Sequence, residues 1–225
     1  KHLLEYDDVM NKQRENIYAM RRELLEGRIS FDEGDVVDSR TYLMTLAEEV
    51  LDQLIETYTS NDADDADEWD LEALKREAGR IFGIDPATMS FVDLSSDEIR
   101  EQLWTGITTS YEQKETLVGR EVMQRVERDV MLQVVDAQWK DHLYALDHLK
   151  DGIGLRGYGQ GDPLIEYKKE SFNLFQGMKE RIDEEIVRYL CWLRPVIGAP
   201  GTPPVPRRPA PRPSSLILNN PEAER

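Results

Sequence analysis

The sequence predicts an all-α protein. Apolar residues recur every three or four positions through residues 1–27, 39–59 and 130–193, which is the spacing of amphipathic helices. No strand pattern is evident anywhere in the chain. Nine of the 11 prolines lie at position 195 or beyond, where they exclude a helix or sheet interior. These observations predict a helical body followed by a disordered, proline-rich tail over residues 194–225.

The first predicted element is one long helix over residues 1–27. Gly27 is a suitable stop, because glycine readily adopts the left-handed conformation that ends many helices. The helix cannot bury its inward stripe alone, so it needs another element to pack against. The stripe comprises Leu3, Tyr6, Met10, Gln13, Ile17, Met20 and Leu24.

The next part of the chain, residues 31–117, is predicted to be a compact insertion of three or four helices. The helical pattern breaks between Arg28 and Asp38 and then resumes. The predicted helices cover residues 39–59, residues 69–82 and a segment that starts after Ser95.

The last of these helices has the clearest start. Ser95 and Glu98 match a capping box, in which each side chain accepts a hydrogen bond from the other residue's backbone N–H. The polar run TGITTS at 105–110 weakens the helical pattern, and Gly119 marks its expected end.

Residues 130–193 are predicted to form an antiparallel hairpin of two helices, because two apolar stripes flank a short glycine-rich turn. The first stripe comprises Met131, Val134, Val135, Trp139, His142, Leu143, Leu146, Leu149 and Ile153. The second stripe comprises Ile165, Phe172, Phe175, Met178, Ile182, Ile186, Tyr189 and Leu193.

The turn of this hairpin has the sequence GIGLRGYGQGDP, which starts at Gly152. Five of its residues are glycine, so no regular helix is expected to persist there. Asp162 is a suitable cap for the second helix, and Pro163 fits its first turn. Tyr158 has little local core to join, so we predict that it contacts a partner.

Charge excludes several classes of partner. The formal net charge is −17, and residues 31–110 contain 21 acidic residues against five basic ones. Such a segment repels nucleic acid and anionic lipid headgroups. No run approaches the roughly 18 apolar residues of a membrane-spanning helix. The chain also opens without an initiator methionine or a signal-peptide layout, so we expect a soluble piece of a longer protein with no nucleic-acid partner.

The sequence predicts no catalytic, cofactor or metal site in this chain. GIGLRG at 152–157 matches G-x-G-x-x-G, but a helix precedes it where a dinucleotide site needs a strand. His142 and His148 are six residues apart on one helix and cannot share a metal ion. The acidic run at 61–67 lacks the glycine and glutamate of a calcium loop. Cys191 is the lone cysteine, and no phosphate-binding GK[ST] sequence is present.

Three blocks of the sequence resemble one family, in the expected order. They are LEYDDVMNKQR, VMLQVVDAQWKDHLYALDHLKDGIGLRGYGQGDP and EYKKESFNLFQGM. Together they resemble SecA, the ATP-driven motor of bacterial preprotein export, over residues 1–30 and 118–192. The resemblance implies a helical scaffold domain that starts at 1–30 and continues through 118–193. It also implies a helical wing domain at 31–117 and a two-helix finger at about 130–190.

The resemblance further implies a function. In SecA the loop of the finger lies at the mouth of the SecY channel and contacts the translocating chain, while the scaffold restrains ATP hydrolysis until partners bind. By motif alignment, the contacting residues here are Ile153, Leu155, Arg156 and Tyr158. The implied partners are the SecA motor domains, the SecYEG channel, an unfolded preprotein and a possible SecA homodimer. The implied location is the cytoplasm, with peripheral association to the inner face of the plasma membrane.

Two departures limit what carries over from the family. The motor domains that bind ATP and magnesium are absent, so this chain alone is expected to hydrolyse nothing. The tail has no cysteine after Cys191, so the cysteine-rich zinc segment that often ends SecA proteins is missing. Composition alone fits a free-standing helical adaptor with an acidic subdomain and a proline-rich tail equally well, and this alternative stays open.

Overall fold

A computed structural model describes residues 2–30, 35–59, 69–85, 89–156 and 162–195. Within these ranges the chain forms six helices and one two-stranded sheet, which confirms the all-α class. None of the six helices has the length and apolar character needed to cross a bilayer. The elements are α1 (His2–Glu26), β1 (Ile29–Ser30), β2 (Val36–Val37), α2 (Ser39–Thr59), α3 (Leu71–Phe82), α4 (Ser96–Val118), α5 (Arg120–Arg156) and α6 (Pro163–Trp192).

The first helix ends as its sequence predicts. Gly27 follows α1 in the left-handed conformation, with φ at 67°, and its N–H donates to the carbonyl of Leu24. Gln13, Ile17 and Leu24 are the buried residues of this helix among those described. These positions lie on the predicted inward stripe, so the spacing argument for α1 is confirmed.

The expectation of no strand is wrong for the segment after α1. Ile29 pairs with Val37 and Ser30 with Val36, which makes a minimal antiparallel sheet. Two residues are too few to show the alternation by which strands are recognised in a sequence. Tertiary packing explains the sheet instead, since Ile29 is buried in the main core.

The inserted helices are confirmed, and their ends follow local capping chemistry. Asp70 caps α3, which ends at Gly83 with φ at 63°. Ser95 and Glu98 form the predicted capping box of α4. The run at 105–110 does not interrupt α4, because threonine hydroxyls such as that of Thr108 bond to carbonyls of the preceding turn.

Helices α5 and α6 form the predicted antiparallel hairpin. Asp162 caps α6 by accepting a hydrogen bond from the N–H of Leu164, and Pro163 occupies the first turn. Gln138 on α5 donates to Glu185 on α6 and accepts from Arg181, far from the turn. Helix α1 packs along both members of the pair, while α2 and α3 pack against α6. The described residues up to Pro195 belong to one compact unit with one main core.

The buried face of α6 differs from the predicted stripe. Ile165, Phe172 and Tyr189 were placed on that stripe, yet 63%, 59% and 51% of their surfaces are exposed. The helix instead turns a neighbouring face toward α1 and α5, which brings one tyrosine and one serine inside. The buried residues of α6 are Tyr167, Ser171, Phe175, Met178, Ile182, Ile186, Val187, Leu190 and Cys191.

The prediction that helix stops at Gly152 is also wrong. Helix α5 continues through Gly152 and Gly154 and ends at Arg156. A glycine inside a helix costs only about 1 kcal/mol relative to alanine. Ile153 lies between the two glycines with 3% of its surface exposed, and burial of its side chain offsets that cost.

Candidate functional site

The predicted site is the far end of the α5–α6 hairpin. From their residue counts, α5 and α6 are about 55 Å and about 45 Å long. The connection between them runs from residue 157 to residue 162, so two long rods are joined by a short link. Such a hairpin resists bending along most of its length, because each helix buries one face against the other.

Helix α1 braces the hairpin close to this end. The rings of Tyr6 on α1 and Tyr167 on α6 meet edge to face, with centroids 4.6 Å apart. Lys150 on α5 lies 3.4 Å from a carboxylate oxygen of Asp7. Burial raises the pKa of Tyr167, and the negative charges of Asp147 and Asp7 add to the shift. The hairpin is therefore fixed to α1 within two to four turns of its connection.

A cluster of rings lies further along the shaft. Trp139 and His142 on α5 have ring centroids 5.5 Å apart, and His142 lies 5.7 Å from Phe175 on α6. All three side chains are buried. The prediction that Trp139 packs within the scaffold is confirmed, because its ring belongs to the main core.

A buried chain of hydrogen bonds joins all three long helices at the same level. Nε2 of His142 lies 2.8 Å from Oε1 of Gln13, and Nε2 of Gln13 donates over 3.1 Å to the carbonyl of Ser171. These side chains are 2%, 6% and 0% exposed, respectively. Because the amide oxygen can only accept, the imidazole must donate from Nε2. We call these three residues the shaft joint.

The protonation state of His142 follows from its surroundings. Burial, together with the nearby positive charge of Arg181, lowers the pKa of His142 to about 4. The imidazole is therefore neutral at physiological pH and can hold a fixed tautomer. A neutral donor suits the buried amide, since no charge has to be removed from water.

The four predicted contact residues have different standings. Ile153 is buried, which leaves its side chain turned into the protein. Leu155 and Arg156 form the last turn of α5, and their side chains lie outside the described residues. Tyr158 lies outside them altogether. Contact between this group and a translocating chain stays a prediction.

The sequence reasoning missed the shaft joint, although its signal was present. Gln13 and His142 each occupied an inward position on helices that were expected to pack. A polar residue on a buried stripe requires a partner, and two such residues on neighbouring helices are natural candidates for each other. Their register could not be derived, so the pairing was not predicted.

Other candidate chemistry is not supported within the described ranges. No group of three or more histidine, cysteine or acidic residues there could hold a metal ion. Cys191 is buried, and burial raises the pKa of its thiol to about 11. Its thiol therefore stays protonated and unreactive at neutral pH.

Comparison with known proteins adds the family. A family model described as the SecA Wing and Scaffold domain matches residues 1–194. The protein translocase subunit SecA of Solibacter usitatus is 43% identical over 206 residues, which cover 92% of this chain and 20% of the relative. The subunits of the same name from Acidobacterium capsulatum and Koribacter versatilis are 42% and 43% identical, over 93% and 94% of this chain. The chain spans about a fifth of the length of these curated relatives.

Proposed function

This chain belongs to the SecA wing and scaffold family, and from that premise we propose that it is the C-terminal part of a motor that moves preproteins through the SecY channel. The rest of the motor binds ATP and magnesium, and this part transmits the resulting movement. The scaffold consists of residues 1–30 and 118–193, and the wing consists of residues 31–117. The parent protein works in the cytoplasm, bound peripherally to the channel at the plasma membrane.

The hairpin of α5 and α6 is the observation that carries this proposal. Two long helices, braced by α1 through Tyr6 and through the shaft joint, form a lever whose far end is a short link. A lever that must push many different chains needs a stiff shaft and a contact that tolerates any sequence. An aromatic ring meets the second need, because it provides apolar contact area with little rotamer entropy to lose. Tyr158, within the link, is that ring.

The partners follow from the same arrangement. The fingertip residues Leu155, Arg156 and Tyr158 meet the unfolded preprotein at the channel, and α1 faces the motor domains of the parent. Arg156 is suited to bind main-chain carbonyls, which every preprotein presents. The scaffold restrains ATP hydrolysis until the channel and the preprotein are bound, and two copies of the motor are able to pair.

The central experiment uses the full-length parent with its channel reconstituted in vesicles. We expect Tyr158→Ala to lower the preprotein moved per ATP hydrolysed about tenfold, as the loss of a well-packed aromatic contact would. Tyr158→Phe should retain most of the transport, since the ring rather than the hydroxyl makes the contact. Tyr144→Ala is the matched control, because Tyr144 is a 58% exposed tyrosine on the shaft. Equal transport by Tyr158→Ala and wild type would overturn the proposal.

The regulatory role needs its own measurement. The motor part of the parent, produced without residues 1–225 of this chain, should hydrolyse ATP faster than the same part mixed with this chain. A free-standing adaptor, the alternative that composition allowed, would leave that rate unchanged. The chain alone is expected to show no hydrolysis in either case.

A further inference from the structure

The inserted helices join the scaffold at one buried carboxylate. Glu127 lies on α5, two turns after the insertion ends, and only 1% of its surface is exposed. Among the residues that the structure describes, it is the only acidic side chain in the buried class. A buried carboxylate is costly unless every lone pair finds a donor, so its surroundings require an explanation.

The two donors come from opposite ends of the insertion. Ser39 is the first residue of α2, and its hydroxyl donates to Oε2 of Glu127 over 2.5 Å. Tyr111 lies two turns before the end of α4, and its hydroxyl donates to Oε1 over 2.6 Å. These lengths are those of hydroxyl bonds to a charged carboxylate, which are roughly twice as strong as neutral ones. We call Ser39, Tyr111 and Glu127 the wing joint.

The protonation of Tyr111 is consistent with this arrangement. Burial raises the pKa of Tyr111 far above its ordinary value, and the charge and hydrogen bond of Glu127 act in the same direction. The phenol therefore stays protonated and donates throughout the physiological range. Tyr111 is fully buried and Ser39 is 3% exposed, so water does not compete for either bond.

A ring of exposed ion pairs surrounds the buried bonds. Arg120 lies 2.8 Å from Asp38 and 2.9 Å from Glu115, and Arg40 lies 3.1 Å from Glu115. These pairs also link the start of α2, the end of α4 and the start of α5. Exposed pairs of this kind contribute little, so the buried carboxylate is the stronger fastener.

We propose that Glu127 is a clasp that couples the two ends of the inserted segment, so that neither the start of α2 nor the end of α4 opens without the other. A shared acceptor makes the coupling reciprocal, because loss of either donor leaves the same carboxylate short of one hydrogen bond. The wing is thereby fixed to the scaffold at entry and exit together. This inference concerns the joint alone, so its failure would leave the proposed role of Tyr158 untouched.

The test is amide hydrogen exchange on this chain carrying Ser39→Ala, Tyr111→Phe or both. Each single change should speed exchange about tenfold at the distant end as well as its own: at residues 108–118 for Ser39→Ala, and at 41–46 for Tyr111→Phe. The double variant should add less than the product of the two single effects, since the first loss already opens the clasp.

Controls remove hydroxyls that do not reach Glu127. The hydroxyl of Thr45 bonds only within α2, to the carbonyl of Thr41, and Tyr144 is exposed on α5. Thr45→Ala and Tyr144→Phe should leave exchange at the distant end unchanged. Acceleration confined to the end that carries the substitution, with multiplicative effects in the double variant, would refute the clasp. All four substitutions are conservative, so the fold is retained for the measurement.

Discussion

The shaft joint and the wing joint are both buried, and both connect three helices, yet they use different chemistry. In the shaft joint, Gln13 links a neutral histidine to a backbone carbonyl. In the wing joint, Glu127 accepts two hydroxyl bonds as a carboxylate, with a ring of exposed ion pairs outside it. One joint contains no charge, and the other is built around one.

The difference indicates what each joint is suited to do. A neutral amide has one donor direction and one acceptor direction, so it holds α1, α5 and α6 in a single register and is indifferent to salt. A buried carboxylate contributes little net stability, and its value lies in specifying which groups come together. The shaft joint therefore sets alignment along the lever, while the wing joint fixes where an insertion begins and ends.

The largest expected effect comes from breaking the shaft joint with Gln13→Leu. Leucine has nearly the same size, but it leaves the imidazole N–H of His142 buried without an acceptor. A buried unsatisfied group costs about 1 to 3 kcal/mol, and the lost bond to Ser171 adds to it. We expect the free energy of unfolding to fall by about 3 kcal/mol in urea titrations monitored by circular dichroism.

The control for this change replaces both partners. In the double variant Gln13→Leu with His142→Leu, no polar group is left without a partner except the Ser171 carbonyl, which lies within a helix. Replacing both ends of a buried hydrogen bond by apolar groups is often nearly neutral. The double variant should therefore regain most of the loss. If it is less stable than Gln13→Leu alone, the unsatisfied imidazole is not the cause.

Local chemistry explains why helix ends were predictable from the sequence. Asp162 with Pro163, Ser95 with Glu98, and Gly27 all act within one turn of their own position, so their neighbours in sequence determine the outcome. The all-α class and the hairpin follow equally from spacing along the chain. The domain boundaries and the fingertip contacts stay predictions.

Tertiary contacts explain what the sequence could not predict. The face that α6 buries depends on how α1 and α5 approach it, which is why Phe172 was placed inside although it is exposed. The sheet between Ile29 and Val37 depends on a neighbouring core, and the extension of α5 past Gly152 depends on burial of Ile153. Both joints connect residues more than 80 positions apart, beyond the reach of periodicity or capping rules.

Acid should weaken the shaft joint, with a smaller effect. The folded-state pKa of His142 is about 4, against an ordinary value of 6.5 in the unfolded chain, because burial and Arg181 disfavour the charged ring. The unfolded state therefore binds the proton more readily, and stability present above pH 6.5 is lost as the pH falls toward 4. The loss at about pH 5 should be about 2 kcal/mol.

Carboxylates also titrate in this range, so the measurement is a difference. The free energy of unfolding of wild type and of the Gln13→Leu, His142→Leu variant should be measured from about pH 8 to about pH 4.5. Their difference should change by about 2 kcal/mol as the pH falls from 6.5 to 5, because only wild type carries the histidine. Parallel curves would show that His142 does not titrate as its surroundings indicate.

The smallest expected effect tests whether the ion pairs around the wing joint matter. Arg120→Gln removes the contacts with Asp38 and Glu115, but the Arg120 side chain is 51% exposed and both pairs are screened by solvent. We expect a loss below about 1 kcal/mol at low ionic strength. At about 1 M sodium chloride, where the screening length is about 3 Å, that loss should disappear. The loss caused by Tyr111→Phe should persist in the same salt, because its bond to Glu127 is buried. If high salt erased both losses, the buried carboxylate would be no better protected than the exposed ring, and the contrast between the two layers of the joint would not hold.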